Sequence, residues 1–271
     1  MAIQHRARKR FGQNFLSDPS IIHRIIQSIN PKPGQRLIEI GPGLGALTCP
    51  ILKIVGEMDV IELDRDIVPK LQLNCGLDAV QNNQLRIHNT DVLNFDFNDL
   101  AYKEPLRIIG NLPYNISTPI IFHLVAHSEI IQDMYFMLQK EVVLRLAAKP
   151  DTSNYSRLSV MAQYYFDVTA LFLVPPESFE PMPKVESAIV RLVPHAEKTV
   201  KVDNDAAFGK LVTQAFSQRR KTLRNVLKGI VSPQQLESIG IDPTTRAQSL
   251  SLQQFADIYQ LSQKDHPDKN T

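Results

Sequence analysis

Apolar positions along this 271-residue chain fall into two alternating rhythms. Strand-length apolar runs occur at "RLIEI" (36–40), "EMDVIEL" (57–63), "QLRIHNTD" (84–91), "PLRIIGN" (105–111) and "DMYFML" (133–138). Between them lie "LTCPILKIV", "DIVPKLQLN" and "STPIIFHLVAH", where apolar residues recur at helical spacing. A leading helix is announced by "SDPSIIHRIIQSINPKPG". Asp18 or Ser17 can cap it, Pro19 suits its first turn, and Ile21, Ile22, Ile25, Ile26 and Ile29 repeat along it. Alternation of this kind predicts right-handed crossovers and a mostly parallel, doubly wound α/β sheet of Rossmann-like type. "SVMAQYYFDVTALFLV" (159–174) and "SAIVRLV" (187–193) read as two further strands, an antiparallel pair at one edge joined by a proline-rich loop. Beyond "PHAEKTVKVDND" (194–205) only short helical patterns remain. The pattern thus predicts a sheet domain over residues 1–197, whose first 16 residues form a basic arm, and a small all-helical domain over 198–271 ending in a disordered "KDHPDKNT".

Composition adds little to this picture, but the distribution of charge adds more. Apolar residues make up 43% and charged residues 21%, ordinary values for a globular chain. Cys49 and Cys75 belong to no CxxC-like pair, so spacing indicates neither a disulfide framework nor a zinc cluster, and a reducing cytoplasm fits. No signal peptide or membrane-spanning run is visible. Net charge is only +2, yet two stretches carry bases without an acid. Arg6, Arg8, Lys9 and Arg10 form one; Arg219, Arg220, Lys221 and Arg224, with Lys228 beyond, form the other. Either alone reads equally well as a solvated face; the two together point to nucleic-acid phosphates.

Candidate chemistry lies where the strands run out. "IEIGPGLGALT" (38–48) is a strand, a glycine-rich turn and a helix, in which Gly41, Gly43 and Ala46 satisfy the dinucleotide pattern G-x-G-x-x-[G/A]. Gly45 makes it also G-x-G-x-G, as in nucleoside methyltransferases. The glycines alone equally suit a tight turn. Glu62 ends the next strand, 21 residues after Gly41, where a carboxylate can accept bonds from ribose hydroxyls. Asp91 ends the third strand and Asn111 the fourth, and the carboxyl ends of adjacent parallel strands line one crevice.

The fourth strand end, "GNLPYNISTP", decides between cofactors. A nicotinamide dinucleotide would suit the glycine turn and Glu62 in a dehydrogenase, but leaves Asn-Leu-Pro-Tyr without a task. S-adenosylmethionine suits Glu62 at its ribose and Asp91 at its adenine, and directs its sulfonium towards Asn111. There the Asn111 side-chain oxygen and a carbonyl fixed by Pro113 can accept hydrogen bonds from an adenine N6, while Tyr114 offers a stacking face to a flipped-out base. Such a site works by positioning and electrostatics, with no covalent intermediate.

"RKRFGQNFL", "EIGPGLGALT", "VIELDRD", "GNLPYNISTP", "FMLQKEV" and "QRRKTLRN" together resemble the ribosomal RNA adenine N6-dimethyltransferase family over nearly the whole chain, its small-subunit branch above all. Macrolide-resistance methylases of the large subunit share this core. The resemblance implies a methyltransferase domain followed by a helical RNA-binding domain. It implies dimethylation of two adjacent adenosines near the 3′ end of small-subunit RNA, on an assembling 30S particle, by a cytoplasmic protein; nothing suggests an obligate dimer. It also implies that Asn14 and Leu16 touch the cofactor, roles that spacing does not reveal. An RNA-binding assembly factor with secondary catalysis is a further reading. Phe179, among the prolines of "VPPESFEPMPKVES", is a candidate for the other face of a base sandwich with Tyr114, or else for burial under its loop. His123 and His127 lack a third ligand, so no metal site is expected.

Overall fold

The computed structural model describes residues 14–100 and 104–264. The basic arm, with Arg6, Arg8, Lys9 and Arg10, and the "KDHPDKNT" tail from Asp265 onwards lie outside the described residues. The chain divides into two units, Met1–Val143 with Thr169–Pro194 and Leu144–Val168 with His195–Thr271. The break after Pro194 lies three residues before the expected one, whereas the segment 144–168, expected in the sheet domain, groups with the second unit.

In the first unit the apolar runs become strands, the central ones buried on both faces, which is why those read as continuous rather than alternating. After β1 (Phe15–Leu16) and α1 (Pro19–Ile29) come β2 (Arg36–Ile40), α2 (Thr48–Val55), β3 (Met58–Ile61), α3 (Val68–Cys75), α4 (Leu77–Gln81), β4 (Leu85–His88), β5 (Leu106–Asn111), α5 (Ser117–Val125) and β6 (Ile131–Gln139). Next follow α6 (Lys140–Leu146), α7 (Arg157–Tyr165), β7 (Phe166–Val174), β8 (Phe179–Glu180) and β9 (Ser187–Pro194). The main sheet runs β4-β3-β2-β5-β6-β9-β7. Strands β2 to β6 pair in parallel and β9 returns antiparallel to β6. The chain moves outward from β2 to β4 and then returns to the other side of β2 as β5, so a topological switch point lies between the ends of β2 and β5. Gly110 permits their close approach: a Cβ there would stand 2.5 Å from the Ile40 carbonyl oxygen.

Helix α1 forms as its sequence predicts. Asp18 accepts from the Ser20 N–H at 2.8 Å, Pro19 opens the helix, and Ile21, Ile25 and Ile29 are its buried face. Its C-terminal carbonyl, that of Ile29, accepts from Arg107 at 2.7 Å. The Arg107 guanidinium, buried between β5 and β6, grips Asp133 with two bonds of 2.8 and 2.9 Å, so neither charge is left unpaired.

Two expectations need correction. Residues 157–165 are helix α7, not strand; only 166–174 are extended. A capping box of Ser156 and Ser159 starts the helix, and Val160, Met161, Ala162 and Tyr164 are all buried. These buried positions are almost consecutive, so no helical period stands out in the apolar run. Cys49 and Cys75 form a disulfide, despite a sequence separation of 26 and no motif. Helices α2 and α3 follow neighbouring strands and bring the two Cα atoms within 4.8 Å.

The second unit completes its core with α8 (Asp205–Ala215), α9 (Leu223–Val226), α10 (Pro233–Ser238) and α11 (Leu252–Lys264). Tyr164 packs on Phe208 at 4.9 Å between ring centres and Phe216 stacks on Phe255 at 5.7 Å. The Tyr155 hydroxyl donates to the Leu250 carbonyl at 2.9 Å. Among the described residues no helix is long and apolar enough to cross a membrane.

Candidate active site

A cleft of about 890 Å³ opens at the switch point. Gly41 and Gly43 after β2, Glu62 after β3, Asp91 after β4 and Asn111 at the end of β5 all line it. Pro113 and Tyr114 line it from the turn beyond β5, and Asn14 and Leu16 from β1 and the residue before it. Nine of the ten residues expected at the cofactor and the reacting base therefore share one cavity.

Local chemistry places each of them. Gly43 has φ of +54°, and a Cβ there would meet the Phe15 ring at 3.1 Å, so only glycine lets β1 lie over the turn. Glu62 is 7% exposed; its Oε1 accepts from the Asp64 N–H at 2.8 Å, and burial raises its pKa. Asp91 caps a 3-10 turn by accepting from the Leu93 N–H through Oδ1 at 3.0 Å, which leaves Oδ2 for a ligand. The Asn111 Nδ2 donates to the Asn14 carbonyl at 3.1 Å, which orients the amide and leaves Oδ1 as its acceptor. The Tyr114 hydroxyl lies 2.8 Å from Ser187 Oγ.

Phe179 is the exception. It is 4% exposed, pairs with Leu16 across β8 and β1, and packs in the core with Leu16, Ile21 and Ile189. The base sandwich with Tyr114 is thus not present in this structure; Glu180 and Pro181, next along the chain, line the cleft instead. Strand pairing turned the ring inward, because alternate residues of an extended chain face opposite ways. His123 and His127 pack 5.4 Å apart, each also beside Phe97, and among the described residues no group of three or more potential ligands could hold a metal. Arg219, Arg220, Lys221 and Arg224 are exposed on the second unit, the first three in the turn between α8 and α9. Arg219 donates to the Ser153 carbonyl at 2.8 Å.

Leu63 and Glu39 are among the lining residues that escaped the sequence reading. Leu63, beside Glu62, is 50% exposed, an apolar surface offered to whatever occupies the cleft. Glu39, in the middle of β2, is buried and lines the cleft floor, with Oε2 accepting from Thr48 Oγ1 at 2.6 Å. The signal for it was an acid inside the apolar run "RLIEI". Burial pushes its carboxyl up from 4.5 to about 7, opposed by the Thr48 bond and assisted by the Glu62 charge. The folded chain therefore holds a proton that the unfolded chain loses, and the associated stability is present below the ordinary carboxylate pKa and lost as pH rises through about 7. Between pH 5 and 8 the protein should lose up to about 3 kcal/mol of stability from this group. In Glu39→Gln, urea unfolding should be flatter across that window; identical pH profiles for the two proteins would show that Glu39 does not titrate there.

Among the described residues, the cleft's lining holds Glu39, Glu62, Asp64, Asp91 and Glu180 but no lysine, arginine or histidine. Such a cavity repels a pyrophosphate and attracts a cation, which disfavours a nicotinamide dinucleotide. Relatives agree in kind. A protein from Saccharophagus degradans named ribosomal RNA small subunit methyltransferase A is 55% identical over 255 residues, 94% of each chain. The crystal structure of a dimethyladenosine transferase from Plasmodium falciparum superposes with a TM-score of 0.76 at 26% identity, covering 90% of this chain and 95% of that one. The 23S rRNA methyltransferase ErmE shares the fold, with a TM-score of 0.70 at 23% identity over 92% of this chain and 99% of its own. The family model described as ribosomal RNA adenine dimethylase matches residues 4–264. With the cleft, its polar strand ends and that match in accord, the chain belongs to the ribosomal RNA adenine dimethylase family.

Proposed function

We propose that the cleft binds S-adenosylmethionine between the glycine turn, Glu62 and Asp91, and presents an RNA adenine to it at Asn111. The observation that carries this reading is the cluster of carboxylates lining the cleft, with no basic side chain among the described lining residues, suited to a cofactor bearing a sulfonium and an ammonium group. When bound, that cofactor supplies an electrophilic methyl group. Glu62 accepts from the ribose hydroxyls and Asp91 from the adenine amino group of the cofactor, while Asn14, Leu16, Gly41 and Gly43 close the amino-acid end.

The protein's task at the substrate is to make N6 a better nucleophile. Its lone pair is delocalised into the ring, and accepting both N6 hydrogens in bonds favours the pyramidal form. Asn111 Oδ1 is one acceptor. The Pro113 carbonyl is occupied by the Ile116 N–H at 3.1 Å, so the Leu112 carbonyl, held by the Leu112–Pro113 amide, is the second. Tyr114 stacks on the flipped base.

The chain is an S-adenosylmethionine-dependent adenine N6-dimethyltransferase of small-subunit ribosomal RNA. In its finer form the reading places the target at two adjacent adenosines near the 3′ end of that RNA, methylated by a cytoplasmic monomer on an assembling 30S particle. Arg219, Arg220, Lys221 and Arg224, with Arg6, Arg8, Lys9 and Arg10 of the arm, supply phosphate contacts. Labelled methyl transfer to unmethylated small-subunit particles, large-subunit RNA and DNA tests this. Label is expected as dimethyladenosine in the small subunit only. Label in large-subunit RNA would reassign the target, and none anywhere would refute the catalytic reading.

A further inference from the structure

Tyr114 sits on the irregular turn between β5 and α5, where the main chain alone holds a side chain loosely. Its ring lines the cleft, but its hydroxyl leads elsewhere, to Ser187 Oγ at 2.8 Å. Ser187 is 0% exposed and is the first residue of β9, paired with Gln139 of β6. Ser187 is itself closed to solvent, so its hydroxyl depends on a protein partner. A buried hydroxyl without a partner is costly, which favours keeping the bond closed. The Leu112 N–H also donates to Met137 of β6 at 3.2 Å, so the turn is fastened to the sheet at both its start and its aromatic tip.

We propose that Ser187 is a positioning residue for the methyl transfer: it anchors the Tyr114 hydroxyl to β9 and thereby holds the ring at the place in the cleft where the target adenine stacks. The hydroxyl oxygen lies on the χ2 axis, so fixing it holds χ1 and with it the position of the ring in the cleft, while the in-plane preference of a phenol hydrogen bond biases χ2. The base then meets a surface already in place, and less ordering is left to the moment of binding. This also explains why a tyrosine stands where stacking alone would be served by phenylalanine. The inference rests on Tyr114 being the stacking residue.

Five variants and one fluorescent RNA test it. Ser187→Ala and Tyr114→Phe each keep the ring and should lower kcat roughly three- to tenfold, the worth of one neutral hydrogen bond, with KM for the cofactor unchanged. The double variant should be no slower than the slower single one, because both remove the same bond. Ser187→Thr, which keeps the hydroxyl, should restore turnover. With 2-aminopurine at the target position, the wild type should quench its emission by stacking, and Ser187→Ala should quench it less. Multiplying effects in the double variant, or wild-type turnover and quenching in Ser187→Ala, would overturn the tether. Tyr114→Ala separates this from the underlying reading. If it turns over like wild type, Tyr114 is not the stacking residue; if it is impaired while Ser187→Ala is not, only the tether fails.

Discussion

Replacing Asn111 by alanine is expected to lower methyl-transfer turnover about 10²–10³-fold, the loss typical of one preorganised polar contact to a developing charge. The side chain lines the cleft at the end of β5, and its amide is turned by the bond from Nδ2 to the Asn14 carbonyl. Truncation therefore removes two things, the Oδ1 acceptor for N6 and an anchor for the segment preceding β1. Asn111→Asp separates them. It keeps an acceptor for N6 but sets a carboxylate oxygen against the Asn14 carbonyl, so it should retain more turnover than alanine while loosening the anchor. Single-turnover methylation at saturating cofactor reads the chemistry; titration with S-adenosylhomocysteine reads the cofactor site, where a change below tenfold is expected. Near-wild-type turnover in Asn111→Ala would show that N6 is activated elsewhere.

The second large effect is expected at Glu62, in binding rather than turnover. Two charge-assisted bonds to ribose hydroxyls are worth roughly 1.5–3 kcal/mol each, which sets an upper range of about 10²–10⁴ in affinity. Burial reduces this. The Glu62 carboxyl is already desolvated and its pKa raised, so part of the gain offsets the cost of holding a charge there. Glu62→Gln should weaken S-adenosylhomocysteine binding about 10²-fold, measured by calorimetry near pH 8. The same substitution removes a destabilising buried charge, so the melting temperature of the ligand-free protein should not fall. Unchanged affinity with a lower melting temperature would assign Glu62 to the fold and not to the cofactor.

What could be read from the chain and what could not divide along a physical line. The parallel sheet was legible because strands buried on both faces appear as apolar runs, and right-handed crossovers leave few ways to order them. That order carries the strand-end positions with it: once β2 to β5 are parallel neighbours, Gly41, Glu62, Asp91 and Asn111 must converge, whatever their side chains do. Short-range chemistry was legible too, as at the Asp18 cap and Pro19 of α1.

Contacts that depend on which way a side chain turns were not legible. Phe179 and Glu180 are adjacent in sequence, and only the pairing of β8 with β1 buries the first and leaves the second at the cleft. Helix α7 hid in an apolar run because its buried residues, from Ser159 to Ala162 and Tyr164, are too nearly consecutive to show a period. Cys49 met Cys75 through the packing of α2 on α3, a distance no spacing rule contains. Ser187 reached Tyr114 across 73 residues through the β6–β9 register. The sequence by itself determined which backbone ends meet, since that follows from pattern and handedness. Tertiary structure alone decided which side chains fill the space between them, since that follows from register and packing among residues far apart in the chain.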